Sequence, residues 1–162
     1  MKKIKQITII IVTLAFAMLS ANNLLANNKK INVSTITDNE YHLYKEINGV
    51  QILYKIATRI DKHNGINADY IEIMLLNTTS NKVQITWQNE LWFDGKCQTC
   101  DQYNKSEYKH KIILNGSQSL EGDCQTKENS DLLIFIKFND KPDVRKLSDF
   151  ELKYLKVDPI IE

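Results

Sequence analysis

The stretch Val83-Gln84-Ile85-Thr86-Trp87-Gln88-Asn89-Glu90-Leu91-Trp92-Phe93 decides the fold, because apolar and polar side chains alternate along most of it. Successive side chains of a β-strand point to opposite faces, so this alternation predicts a strand with one buried and one solvent-exposed face. Trp87 lies in phase with the other apolar residues and is expected in the core. Trp92 is the exception, since it is an apolar residue on the polar side of the strand.

The segments before this strand carry further strand and turn signals. Asn48-Gly49 lies between two β-prone runs and predicts a type I′ hairpin turn, because both central positions of that turn need a positive φ. A later strand has apolar residues at positions 71, 73 and 75 and ends near Asn77. The polar turn Thr78–Lys82 then predicts a second hairpin, which pairs this strand with Val83–Phe93.

Three strand patterns follow along the chain, at residues 107–114, 132–138 and 150–157. In the last of them, the apolar residues slip by one position between Leu152 and Leu155, which predicts a β-bulge.

Residues 31–36 form a candidate first strand, and only 143–150 has the pattern of a helical turn. No 3.6-residue periodicity is sustained elsewhere after the N-terminal segment. Seven to eight short strands separated by turns predict an all-β fold, a single-domain β-sandwich of two packed sheets.

The N-terminal segment 1–26 has the pattern of an export signal. Three lysines at positions 2, 3 and 5 precede an apolar run at 7–19, and small residues follow up to Ala26. This run is shorter than the roughly 20 apolar residues that a membrane-spanning helix needs, so we expect cleavage and no membrane insertion afterwards. The mature β-sandwich domain is then 27–162, in a periplasmic or secreted protein.

The charge of the expected mature chain bears on its partners. The signal segment holds three of the 21 basic residues and none of the 20 acidic ones, so the mature chain has a formal charge of −2. Nucleic-acid binding requires a basic surface, and this balance therefore argues against a nucleic-acid partner.

Three parts of the chain carry a resemblance to a known group of proteins. They are Tyr70–Thr79, the tripeptide Gly122-Asp123-Cys124, and the pattern Phe150-x-Leu-x-x-Leu-x-Val157. Together they resemble small exported immunoglobulin-like β-sandwich proteins of flavobacteria and related bacteria. The resemblance implies the fold and the export, and it implies no catalytic residue.

The three cysteines allow several arrangements. In an exported protein we expect a structural disulfide that joins Cys124 to Cys97 or to Cys100 and leaves one thiol free. A bridge between Cys97 and Cys100 would instead leave Cys124 free. A zinc site made of the three cysteines and His110, or a thioredoxin-like Cys97-x-x-Cys100 motif, is the alternative that would give the cysteines a function.

No other residue pattern predicts a reaction. The three histidines lie apart in the sequence without an adjacent nucleophile, and the acidic residues 61, 69 and 72 lack the spacing of a calcium loop. His110 is expected at the core or its rim. We therefore predict no catalytic residue, no metal site and no cofactor.

Trp92 and Tyr103 are the candidate binding surface, because exposed aromatic side chains near one loop are typical of protein- or carbohydrate-binding sites. The function predicted from the sequence is an exported, non-enzymatic module at the cell envelope that binds a protein or glycan or has a structural role. The alternative is a cysteine-dependent metal-binding or thiol-redox protein that uses Cys97, Cys100 and Cys124.

Overall fold

A computed structural model describes residues 29–100, 102 and 105–161. The predicted signal segment 1–26 and the candidate surface residue Tyr103 lie outside these residues. The described chain is all-β, which confirms the predicted single-domain sandwich. Its strands are β1 Ile31–Asn32, β2 His42–Ile47, β3 Val50–Asp61, β4 Ile66–Asn77, β5 Val83–Phe93, β6 Lys96–Cys97, β7 Lys109–Leu114, β8 Ser119–Glu121, β9 Leu133–Phe138 and β10 Leu147–Pro159.

The strands form two antiparallel sheets packed face to face. The first sheet has the order β1-β10-β5, and both β6 and β7 pair with the other side of β5. The second has the order β2-β3-β4, and both β8 and β9 pair with the far side of β4. The described residues therefore hold ten strands rather than seven or eight, because three are only two or three residues long and carry no alternation of their own.

The core lies between the inner faces of the two sheets. Trp87 is 4% exposed, which confirms its predicted inward orientation. Aromatic and branched side chains from both sheets form the rest of the core. The most buried core residues are Val50, Ile52, Ile71, Ile73, Leu75, Ile85, Leu114, Leu132, Phe150 and Leu152.

The predicted hairpin at Asn48-Gly49 is confirmed. The two residues have φ of 49° and 74° and join β2 to β3, which pair in register from Ile47 and Val50. A positive φ is readily adopted by glycine and tolerated by asparagine, so this dipeptide fixes the turn locally.

The predicted second hairpin is wrong. Strands β4 and β5 belong to different sheets, and β3 is the strand that pairs with β4 along its whole length. The buried Asn77 shapes the crossing, because its side-chain nitrogen donates to the carbonyl oxygens of Asn81 (2.8 Å) and Asn115 (2.9 Å). A polar turn between two alternating segments therefore leads across the sandwich here instead of back into the same sheet.

The predicted β-bulge in the last strand is confirmed. Lys153 lies opposite Gln88, and Lys156 lies opposite Thr86. Two residues of β10, Tyr154 and Leu155, therefore face one residue of β5, Trp87. Tyr154 takes a φ of 52° at this point. The bulge places Lys153 and Tyr154 consecutively toward solvent and returns Leu155 to the core.

Two other expectations differ from the structure. The candidate first strand is a strand only over β1, and the 3₁₀ turn Val33–Thr35 follows it. The segment 143–150 forms no helix, because β10 already begins at Leu147. Among the residues that the structure describes, no helix is long and apolar enough to cross a bilayer.

Candidate ligand-binding face

The outer face of the first sheet holds an ordered set of polar side chains. The register places Gln88 of β5 between Lys109 of β7 and Lys153 of β10. One row further along, Thr86 lies between Lys111 and Lys156 in the same way. Side chains directly opposite each other in a sheet are about 5 Å apart at their Cβ atoms. Two polar residues in the middle of the sheet are therefore flanked on both sides by lysines.

A cavity of about 310 Å³ lies on this face, and Trp87 and His110 complete its lining. The outward-pointing residues that line it are called the outer groove. They are Thr86, Gln88, Lys109, Lys111 and Tyr154.

Gln88 is the unusual residue of the outer groove. It is 3% exposed although it lies on the solvent face of its strand, and its Nε2 atom has no hydrogen-bond partner among the residues that the structure describes. A buried donor without a partner costs about 1–3 kcal/mol, so such groups are rare in folded proteins. The groove therefore contains an unsatisfied donor where a ligand atom could accept from it.

The lysines on the two sides of the groove differ in their partners. Lys153 Nζ lies 3.3 Å from a carboxylate oxygen of Glu151, and Lys156 Nζ lies 2.9 Å from a carboxylate oxygen of Asp158. Burial lowers the pKa of Lys153, but the hydrogen bond to Glu151 and the attraction of nearby carboxylates outweigh it and raise that pKa. In contrast, neither Lys109 nor Lys111 pairs with a carboxylate of the described residues. The positive charge of the groove is thus uncompensated on its β7 side.

Next to the groove, the same face carries an acidic pair. Glu90 of β5 lies directly opposite Glu151 of β10, and both side chains are buried. Lys153 bridges them, at 3.7 Å from Glu90 and 3.3 Å from Glu151. The Lys153 ammonium group thus partly neutralises the two carboxylates. It is therefore less available to a ligand than the ammonium group of Lys109.

Trp92, a predicted binding residue, lies on this outer face four positions along β5 from Gln88. It is half-buried, and the Lys30 ammonium lies 4.1 Å from the centre of its ring. Lys30 also forms an ion pair with Asp149 at 3.7 Å, and Asp149 is the β10 residue that lies opposite Trp92. The structure thus assigns Trp92 to the same face as the groove but to the far side of the acidic pair.

The expected disulfide from Cys124 is wrong, because Cys97 is bonded to Cys100 and Cys124 is free. Cys97 is paired with Trp92 at the edge of the first sheet, whereas Cys124 follows β8 of the second sheet. Cys124 is 1% exposed and its backbone N–H donates to a Glu72 carboxylate oxygen at 2.8 Å. The fold therefore separates Cys124 from both possible partners.

The surroundings of Cys124 make its thiol a weak nucleophile. Burial, and then the hydrogen bond and negative charge of Glu72 and the charge of Asp123, raise the pKa of Cys124 from 9.0 to about 12. Reactivity depends on the thiolate, so this thiol is largely inert near neutral pH. With Cys97 and Cys100 bonded to each other and Cys124 apart from them, the cysteines do not form the zinc set considered above, whereas a thioredoxin-like pair would carry this same bond in its oxidised state. Among the described residues, no three His, Cys, Asp or Glu side chains are grouped as a metal site.

His110 lies beside the core, as expected from its position on the apolar face. A chain of hydrogen bonds runs from Trp87 Nε1 to Asn89 Oδ1 (3.0 Å), and from Asn89 Nδ2 to His110 Nε2 (2.9 Å). His110 Nδ1 then lies 3.3 Å from Asp131 Oδ1. Burial lowers the pKa of His110 despite the opposing effect of Asp131. A neutral ring with its proton on Nδ1 fits this chain, which joins the first sheet to the segment before β9.

Comparison of the chain with family models, curated proteins and solved structures finds no match.

Sequence reasoning did not identify Gln88, Lys109, Lys111 or Tyr154 as site residues. The alternation placed the first three on the outer faces of their strands, and the phase slip located a bulge between Leu152 and Leu155. What was lacking was the register, which is formed between segments more than 20 residues apart and brings these residues side by side.

Proposed function

We propose that this protein is an exported, non-enzymatic binding module and that its ligand binds in the outer groove. A protein or a glycan is the kind of partner that the sequence predicts. The single observation that carries this proposal is Gln88 Nε2, a buried donor without a partner in a cavity on a solvent-exposed sheet face. An unsatisfied polar group of this kind gains a full hydrogen bond when a ligand supplies an acceptor.

The other residues of the groove support a binding role. Ligand-binding cavities combine apolar walls with a few convergent polar groups. The groove is lined by an amide, a hydroxyl, the Tyr154 ring and two lysines that pair with no carboxylate of the described residues. Tyr154 is 63% exposed and held at a positive φ. Backbone strain of this type is found preferentially at functional sites.

The cysteine-dependent alternative has less support. A thiol with a raised pKa is a poor nucleophile and a poor metal ligand, and this describes Cys124. The bond between Cys97 and Cys100 instead closes a short turn beside β6. We therefore propose a structural role for the disulfide.

The proposal is tested by NMR titration of ¹⁵N-labelled protein, isolated after expression of the full chain. The probes are dextran, polygalacturonate, alginate, poly-glutamate and poly-lysine. We expect at least one probe to shift the Gln88 side-chain amide together with the backbone signals of Thr86 and Tyr154. Gln88→Leu should remove the binding, while Gln84→Leu, on the same strand face outside the groove, should keep it.

The opposite result would exclude the groove. If every probe that binds shifts signals elsewhere, or if Gln88→Leu binds as well as wild type, the outer groove is not the binding site. If no probe shifts any signal, the proposed binding function has failed for these classes of ligand.

A further inference from the structure

We infer that the outer groove takes an acidic carbohydrate, with a sugar carboxylate held over Gln88 and Thr86 beside Lys109 and Lys111. The inference rests on the binding function proposed above and names the ligand class of that site. It follows from the donors that the groove offers, from the position of Tyr154, and from the charge of its surroundings.

The donors of the groove select a negatively charged acceptor. Gln88 Nε2 has two N–H groups and no partner within the described part of the chain, and an ammonium group donates without accepting. Lys109 and Lys111 have no carboxylate among the described residues, while Lys153 and Lys156 are already paired across the groove. A carboxylate supplies acceptors to the amide and neutralises the unpaired lysines, and such charge-assisted hydrogen bonds are the stronger kind.

Tyr154 supplies the apolar part of the site. The bulge of β10 places it next to Lys153 on the outer face, and its side chain remains 63% exposed at the rim of the cavity. An aromatic ring offers an apolar face with a polar edge, which matches a sugar ring with its C–H face and peripheral hydroxyls. A carboxylated sugar therefore satisfies both the lysine side and the aromatic side of the groove.

The same residues do not favour a protein partner. Protein interfaces bury about 800 Å² on each side and are depleted in lysine and glutamate at their centres. The centre of this face instead consists of lysines, Gln88 and the Glu90–Glu151 pair. Among the described aromatic residues that line the cavity, Trp87 is buried in the core and Tyr154 is exposed, so a cluster of exposed apolar anchors is lacking there.

Binding requires a small rearrangement of side chains. Gln88 Nε2 is itself closed to solvent, so the side chains around it have to move aside before a ligand reaches it. Lysine side chains do this readily, because they have several rotatable bonds and are exposed or only half-buried here. The strands can keep their positions, as is common for pre-organised sites.

The test compares trigalacturonic acid with a neutral galactose trisaccharide and with an acidic peptide, tri-glutamate. Each is titrated into the ¹⁵N-labelled protein at low and at physiological salt. We expect trigalacturonic acid to shift the Gln88, Thr86 and Tyr154 signals and to bind more weakly at the higher salt, since exposed charges are screened over about 8–10 Å. The neutral sugar and the peptide should bind at least about tenfold more weakly, a difference of about 1.4 kcal/mol.

Variants then connect the affinity to the named residues. Gln88→Leu and the double variant Lys109→Gln/Lys111→Gln should each weaken trigalacturonic acid binding about tenfold or more. The double variant should also lose most of the salt dependence. The controls are Gln84→Leu and Lys62→Gln, which lie outside the groove and should bind as wild type does. Thermal unfolding of each variant confirms that it is folded.

The outcomes separate this inference from the proposed function. Equal binding of the neutral sugar, still lost in Gln88→Leu, overturns the acidic class and leaves the groove as a binding site. Stronger binding of tri-glutamate through the same residues overturns the carbohydrate class. If no saccharide shifts the groove signals, the inference is overturned, and the wider set of probes named above decides on the proposed function.

Discussion

The Thr99 hydroxyl donates a hydrogen bond to the Asn89 carbonyl oxygen at 3.0 Å and accepts one from the Leu91 N–H at 2.9 Å. These β5 groups lie between the part of the strand that pairs with β7 and the part that pairs with β6. The turn closed by Cys97 and Cys100 holds Thr99, which is almost fully buried. The Thr99 side chain thus supplies the hydrogen bonds that a neighbouring strand would otherwise make to Asn89 and Leu91.

Thr99→Val should therefore destabilise the protein. The change keeps the side-chain volume but removes the hydroxyl, which leaves a carbonyl and an N–H of β5 without partners. We expect a loss of about 2–3 kcal/mol in the free energy of unfolding, measured by urea denaturation. Thr126→Val, in an exposed turn, is the control and should cost much less. Similar losses at both positions would mean that Thr99 does not complete the sheet edge.

The two faces of β5 should respond differently to substitution. Trp87→Ala removes a large buried aromatic side chain and should cost about 3–5 kcal/mol. Gln88→Leu removes an unsatisfied donor from a buried position, so the free energy of unfolding should stay the same or rise by about 1 kcal/mol. Both are measured by urea denaturation. A loss at Gln88→Leu comparable to that at Trp87→Ala would show that Gln88 serves stability and not a ligand.

The cysteines should give a distinct alkylation pattern by intact mass. The native protein should resist alkylation, because Cys124 is buried with a raised pKa and the other two cysteines are bonded. Denaturant without reductant should expose one thiol, and denaturant with reductant three. The metal-binding alternative would be restored by a different result. The protein as isolated would contain about one zinc per chain, and removal of that zinc would expose three reactive thiols in the native protein.

His110 should make stability fall with acidity. Its pKa is lowered in the folded state from an ordinary 6.5, so the unfolded chain binds the proton more readily. By linkage, this stability is complete above about pH 6.5 and is lost progressively as the pH falls toward the lower, folded-state pKa. Urea denaturation of wild type and His110→Gln at pH 7.5, 6.5 and 5.5 should show a smaller pH dependence in the variant. His63→Gln, in an exposed turn, should behave as wild type.

Export predicts a specific N-terminus. If the signal segment is cleaved, the mature protein should begin between Asn22 and Asn28, because the small residues that suit cleavage end at Ala26. N-terminal sequencing of protein recovered outside the cytoplasm measures this. Protein found there with Met1 retained would contradict the signal-peptide interpretation.

Local patterns in the sequence determined a large part of this structure. Alternation identified the long strands and the inward position of Trp87, Asn48-Gly49 identified its turn, and the phase slip identified the bulge in β10. Each depends on the geometry of a few consecutive residues, either the two-residue period of a strand or a φ that few residues adopt. The sequence therefore predicted the class of fold and the outward position of Gln88.

Only the tertiary structure decided which segments meet. In it, β4 and β5 lie in different sheets, and Cys97 is bonded to Cys100 instead of Cys124. Gln88 lies between Lys109 and Lys153. Alternation records which face of a strand is buried but not which strand lies beside it, since many partners would bury that face equally well. The register follows from how all the side chains pack together, and the unsatisfied amide of the outer groove exists only once that packing is complete.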